Sequence, residues 1–110
     1  MWNNTVTLCG RLTADPELKM ASEKPVVNFT LAVQKLARDK DAVDFISCVI
    51  WNQSARYLND YGHKGDYAAI SGALRSRSYE NNQGTRVYVT EVLADSIHLF
   101  PRQSKEEKAE

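Results

Sequence analysis

The sequence has no excess of either charge and no long apolar run. Fourteen Lys and Arg stand against fourteen Asp and Glu, so no strong overall field draws the chain to a polyanion or to an anionic membrane surface. A polybasic, histone-like mode of binding is therefore excluded. No segment approaches the about 20 apolar residues of a spanning helix, and the opening Met1-Trp2-Asn3-Asn4-Thr5 has none of the marks of a signal peptide. A cytoplasmic protein without membrane association is expected. Cysteine is scarce too. Cys9 and Cys48 lie far apart, each within an apolar run, and read as two small buried side chains in a reducing compartment. His63 and His98 stand at no zinc-like spacing from each other or from either cysteine. A Gly-rich phosphate loop, a G-x-S-x-G turn and an H-E-x-x-H helix are all missing. Asp39, Asp41 and Asp44 are interrupted by Lys40 and read as solvated loop charges. No catalytic constellation, metal site or cofactor is expected.

What is present is strand signal. A composition of 43% hydrophobic and 25% charged residues over 110 positions is that of one ordinary globular domain. Val6 and Leu8 alternate with Thr5, Thr7 and Cys9, the period of a half-buried strand. This run continues into Gly10-Arg11-Leu12 and breaks at Asp15-Pro16, with Glu17 to Met20 as a second leg. Val27, Phe29, Leu31 and Val33 then alternate with Asn28, Thr30, Ala32 and Gln34. The charged stretch Lys35 to Asp41 reads as a hairpin loop. Asp44 to Trp51 is apolar on both faces, as in a strand covered by core on one side and by a ligand or partner on the other.

The period then changes. Asn52 reads as an N-cap, Ala55, Leu58 and Tyr61 recur at helical spacing, and Gly62 is the stop. Strand pattern returns from Asp66 to Tyr79, with a bulge or bend at Gly72. Asn81-Asn82-Gln83-Gly84 forms a hairpin tip. A last strand runs from Thr85 to Leu93, and a further extended piece covers Ser96 to Phe100. Three strands, one short helix and two more strands make the layout of an all-β OB-fold, a five-stranded Greek-key barrel. Gly10 and Gly72 allow the coiling it needs. Residues 1–102 form this domain, and 103–110 a short charged mobile tail.

The binding signal lies on the strands. Phe45, Ser47, Val49 and Trp51 share one face, and at about 3.3 Å per residue Phe45 and Trp51 are about 20 Å apart. Arg75, Arg77 and Tyr79 share a face of the next strand. A hairpin symmetric about Asn82-Gln83 pairs Tyr79 with Arg86 and Arg77 with Tyr88, gathering three arginines and two rings in one patch. Rings interleaved with guanidiniums match the base faces and phosphate line of a single-stranded nucleic acid. Two arginines two residues apart repel, which makes sense if they face a polyanion. Charge of this kind is local: between Ala73 and Arg86 stand three Arg against one Glu. The plainer alternative is an aromatic-lined core with ordinary surface arginines.

Asn4-Thr5-Val6-Thr7-Leu8-Cys9-Gly10-Arg11-Leu12 followed by Asp15-Pro16-Glu17 resembles the opening of the bacterial single-stranded DNA-binding proteins. Thr30-Leu31-Ala32-Val33, the run Asp44 to Trp51, and Tyr57-Leu58 through Lys64-Gly65 resemble the middle of that family. Leu74-Arg75-Ser76-Arg77-Ser78-Tyr79-Glu80, Gln83-Gly84 and Val87-Tyr88-Val89-Thr90-Glu91-Val92 resemble its last hairpin. The likeness covers about residues 3 to 100 in one register. It implies a nucleoid-associated protein that binds and protects single-stranded DNA without sequence preference in replication, recombination, repair or uptake. It also implies stacking on Phe45, Trp51 and Tyr79, to which Tyr88 is added from the hairpin. Phosphate contacts fall on Lys35, Arg38, Lys64, Arg75, Arg77 and Arg86, with Arg11 beside them. A homotetramer is implied, the first strand pairing with its copy and the dimers packing through their sheets, with Trp2 suited to that interface or to stacking.

Two features depart from the family. Ala37 occupies a loop position that normally carries a further stacking ring. The chain closes on Lys105-Glu106-Glu107-Lys108-Ala109-Glu110, where long members carry an acidic tip ending in Pro-Phe that recruits replication and repair proteins. A short paralogue without that route of recruitment is expected. The rival readings are an OB module that docks a protein partner and an OB-fold nuclease, the latter disfavoured by the lack of clustered acidic ligands.

Overall fold

A computed structural model describes residues 2–36 and 42–100. The chain runs through β1 (Val6–Leu12), β2 (Lys19–Ala21), β3 (Lys24–Gln34), β4 (Val43–Trp51), α1 (Asn52–Tyr61), β5 (Tyr67–Glu80) and β6 (Arg86–Leu99). Period-two alternation decides which side of each strand is wet. In the antiparallel β3–β4 ladder, Val27 faces Ile50, Phe29 faces Cys48 and Leu31 faces Ile46, and these side chains point to the core. β6 joins β4 in parallel through Cys48↔Val92 and Ile50↔Ala94, β5 runs antiparallel to β6, and β1 lies against β5 with Leu8 opposite Ile70. The end of β1 then reaches β3 at Arg11↔Ala32 and Leu12↔Leu31. The order β1-β5-β6-β4-β3 thus closes on itself, with β2 a short hairpin on the rim. This is the five-stranded OB barrel that the element order predicts.

Leu31, Ile50, Leu58, Ile70, Val27 and Val92 are the largest fully buried side chains of the interior; each stabilises the fold by about 1.5–3 kcal/mol through burial alone. The helix adds Ala55 and Leu58 to this core. The hydroxyl of Tyr57 accepts from the Leu99 backbone N–H at 3.3 Å, tying the helix to β6. Tyr61 does not share the buried face: its ring is exposed and stands 5.5 Å from that of Tyr57. Nor does Asn52 cap the helix. It adopts φ 63°, a left-handed conformation that Asn tolerates, and the capping position belongs to the extended Trp51, without a side-chain hydrogen bond. Gly62 ends the helix as expected, its N–H donating to the Leu58 carbonyl at 2.8 Å.

Three further differences have local causes. The second leg of the first strand is the separate strand β2, because Ser22 and Glu23 both take positive φ (51° and 67°), the geometry of a two-residue type I′ hairpin turn. Ser-Glu lacks the usual Asn-Gly signature of that turn. The two last extended pieces form one strand, and the bulge lies opposite the expected place: Ser71 pairs with Ser96 but Gly72 with Ala94, leaving Asp95 as the extra residue. Only one cysteine is interior. Cys9 is exposed because its side of β1 faces out, whereas Cys48 is in the core, where burial, and secondly the charge of Glu91, push its thiol up to about 12.

Gly10 and Gly72 mark the closest backbone approaches. A Cβ on Gly10 would lie 2.5 Å from the Ala32 carbonyl oxygen, and one on Gly72 would lie 2.1 Å from that of Leu93. Both obstacles are backbone, so no side-chain rotation relieves them. Gly72→Ala is expected to lower the urea midpoint by a destabilisation of about 3 kcal/mol, the upper end of ordinary overpacking, with an unchanged slope in denaturant.

Candidate nucleic-acid interface

The side of β4 turned away from the barrel interior carries Phe45, Ser47, Val49 and Trp51, as the alternation predicts, although Val49 is itself buried. Phe45 is 67% exposed and Trp51 is half-buried at the start of the helix. Val49 pairs with Leu93, and Leu93 with Ala73, so this outer side continues without a change of face onto β6 and β5. It therefore includes Ala73, Arg75, Arg77 and Tyr79, the last 46% exposed. Three rings and two guanidiniums thus share one convex surface of the barrel. The Arg77 guanidinium carbon lies 5.9 Å from the centre of the Tyr79 ring, a cation–π contact.

Beneath the two arginines lies Glu91. It stands directly opposite Arg75 in the β5–β6 ladder and is only 6% exposed. Arg75 donates to its Oε2 from Nε at 3.2 Å and Nη2 at 2.5 Å, and Arg77 from Nε at 3.3 Å. A buried carboxylate is tolerated only with such partners. The mutual repulsion expected of Arg75 and Arg77 is thereby offset within the protein. It is no sign of a polyanion.

The hairpin itself departs from the expected register. Gly84 at φ 77° and the Asn81 N–H to Thr85 carbonyl bond make a loop centred on Gln83; the Asn81 side chain accepts from the N–H of Gln83 and of Thr85. Tyr79 consequently pairs with Val87, Arg77 with Val89, Ser78 with Tyr88 and Glu80 with Arg86. A shift of one residue moves every side chain to the other face. Arg86 and Tyr88, 79% exposed, therefore lie on the opposite face of the hairpin, where Arg86 donates to Ser78 Oγ at 3.2 Å. The single patch of three arginines and two rings is not formed.

The remaining candidates ring the barrel. Arg11 pairs with Ala32, and Ala32 with Phe45, so Arg11 lies two strands from Phe45, about 10 Å at the usual strand spacing. Its guanidinium donates to the Gly65 carbonyl at 3.0 Å and lies 5.4 Å from the centre of the Tyr67 ring. Lys35 is paired with Asp44 at the loop end of the β3–β4 hairpin. Lys64 sits in the loop before β5, its backbone N–H donating to Asp15 Oδ1 at 2.7 Å. Arg38, Ala37, Asp39, Asp41 and the tail 103–110 lie outside the described residues. Among the described residues, no group of three or more His, Cys, Asp or Glu is placed to hold a metal ion, and no helix is long and apolar enough to cross a membrane.

Two elements escaped the sequence reading. One is Glu91, which a hairpin centred on Gln83 would have put opposite Arg75. The other is the cluster of Tyr67, His98 and Phe100 on the outer side of β5 and β6. The Phe100 ring lies 5.5 Å from Tyr67 and 5.0 Å from His98. Their pairing across strands follows from register alone and leaves no local signal.

A sequence model of the Single-strand binding protein family matches residues 3–100. The chain is similar to Single-stranded DNA-binding protein 1 of Streptococcus pyogenes serotype M18, 45% identical over 104 residues, covering 91% of this chain and 80% of the relative. It is similar also to the single-stranded DNA-binding protein of Halalkalibacterium halodurans, 45% identical, with 93% of this chain and 64% of that protein covered. The corresponding protein of Enterococcus faecalis is 42% identical, with 96% and 58% covered. The chain spans less than two thirds of the length of these last two relatives.

Burial raises the carboxyl pKa of Glu91, but the hydrogen bonds and charges of Arg75 and Arg77 outweigh it and hold the group below its ordinary value of 4.5. A carboxyl depressed in the folded state contributes stability that is complete above its unfolded value and is lost as pH falls through the folded one. Thermal melts taken downward from pH 7 should therefore show a smaller loss below pH 4.5 in Glu91→Gln than in the wild type.

Proposed function

Because the chain belongs to the single-strand binding protein family, we propose that it binds and protects single-stranded DNA without sequence preference. It is a binding protein, not an enzyme, and acts in replication, recombination, repair or uptake, located with the DNA in the cytoplasm. The observation that carries this reading is the outward placement of Phe45, Trp51 and Tyr79 on the face that also presents Arg75 and Arg77. Bases stack on the rings, each worth about 1–3 kcal/mol irrespective of sequence. The arginines meet phosphate oxygens between them. Arg11, Lys35 and Lys64 extend the phosphate track around the barrel, and Arg38, outside the described residues, is a further candidate for phosphate contact. Arg86 and Tyr88 take a strand that passes behind the hairpin. Net neutrality limits long-range attraction, so affinity comes from close contact and depends on local charge.

Binding is multiplied by assembly into a homotetramer. β1 uses one edge against β5 along Val6 to Arg11 and touches β3 only at Arg11 and Leu12. Among the described residues, no strand covers the other edge at positions 6–9. An uncovered edge offers a row of unpaired N–H and C=O groups to a second copy. Four sites on one particle raise the local concentration of binding surface along a long strand. Trp2, fully exposed ahead of β1, joins the interface.

Oligo-dT added to the protein should quench tryptophan emission through stacking on Trp51; absence of quenching together with absence of binding would refute the DNA reading in favour of a protein-docking module. Phe45→Ala should weaken oligo-dT binding by about 1–3 kcal/mol with no change in thermal stability. Labelled single strands kept with Mg²⁺ should stay intact. Light scattering should give the mass of four chains with or without DNA, and a single-chain mass would overturn the tetramer alone.

A further inference from the structure

Arg75 and Arg77, at the centre of the proposed DNA face, are joined through one atom. Arg75 Nε and Nη2 and Arg77 Nε all converge on Glu91 Oε2, and the Glu91 side chain lies beneath them at 6% exposure while the arginine side chains remain 39% and 51% exposed. Beyond Arg77 the chain of contacts continues to the ring of Tyr79. The three charged groups together carry one net positive charge where two arginines alone would carry two. A guanidinium has five N–H donors in a rigid fork. Glu91 occupies the inward-facing ones, and the outward ones stay open to a phosphate oxygen.

We propose that Glu91 is a positioning residue of the DNA face, tying Arg75 and Arg77 into one phosphate-binding unit of single net charge and so limiting the salt dependence of binding. This rests on the reading that the face binds single-stranded DNA. The fork of Arg75 is held across the hairpin, that of Arg77 is held between Glu91 and Tyr79, and a phosphate meets a fixed pair of forks rather than two mobile side chains. Each cation that replaces a counterion on single-stranded DNA adds about 0.7 to the slope of log affinity against log salt. Because Glu91 stays with the arginines, the unit contributes as one cation.

The test is oligo-dT affinity at neutral pH across a tenfold range of salt, for the wild type, for Glu91→Gln, and for Glu91→Gln combined with Arg77→Gln. Glu91→Gln frees one net charge, so its slope should steepen by about 0.7, costing about fivefold more affinity than the wild type loses over that range. The double variant restores a single positive charge. Its slope should match the wild type although its absolute affinity falls with the loss of Arg77. If the arginines act independently of Glu91, the single variant keeps the wild-type slope and the double variant is flatter by about 0.7; either result overturns the proposal. The double variant has no uncompensated like charges and keeps the test open if Glu91→Gln alone fails to fold. Failure of the wild type to bind oligo-dT would refute the DNA reading and this inference with it, whereas binding with independent slopes refutes this inference only.

Discussion

A β-strand has two sides, and closing a barrel commits one of them to the core. In this chain that constraint governs everything on the outside. Once Phe29, Cys48, Ile50, Ile70 and Val92 are turned inward, Phe45, Trp51, Arg75, Arg77 and Tyr79 have no choice but to face out. Rings of this size in solvent are unfavourable for the isolated chain. They are explained if a flat, partly apolar ligand covers them, and the base of a single strand is such a ligand. Closure also places β4, β5 and β6 edge to edge, which turns residues from three distant stretches of sequence into one surface.

The charge on that surface is organised rather than abundant. An even balance of acidic and basic residues over the whole chain conceals a region where two guanidiniums sit over one buried carboxylate. Glu91 makes the pair compatible with the folded protein in the absence of any ligand. The two guanidiniums therefore stand side by side without stored repulsion. The same arrangement explains why a carboxylate can occupy a nearly buried site next to the thiol of Cys48 without loss of charge.

The β5–β6 hairpin reaches the solvent on both sides, and its two faces differ. The front carries Arg75, Arg77 and Tyr79, continuous with the barrel surface; the back carries Arg86 and Tyr88 beside Ser78. Its loop, centred on Gln83 with Gly84 in the left-handed region, decides this division. Asn4 fastens the base of the hairpin to the N-terminal segment, its amide donating to the Leu74 carbonyl and its carbonyl accepting from the Leu74 N–H. The hairpin and the segment leading into β1 thus meet at one joint.

Much of this was legible in order of residues alone. The alternation of Val27 to Gln34 and of Phe45 to Trp51, the helical spacing of Ala55 and Leu58, and the punctuation by Gly62, Gly72 and Gly84 determined the five-stranded barrel and which residues share a side of their strand. These are properties of a residue and its near neighbours. Other features depend on which residue of one strand stands opposite which residue of another: the separation of Arg86 and Tyr88 from Arg77, the burial of Glu91 under two arginines, the place of Asp95 as the extra residue. Register across strands is a non-local quantity, and an error of one position in it reverses a face. Local pattern could say which side chains share a side of a strand; only the closed tertiary structure could say which side faces out and what it meets there.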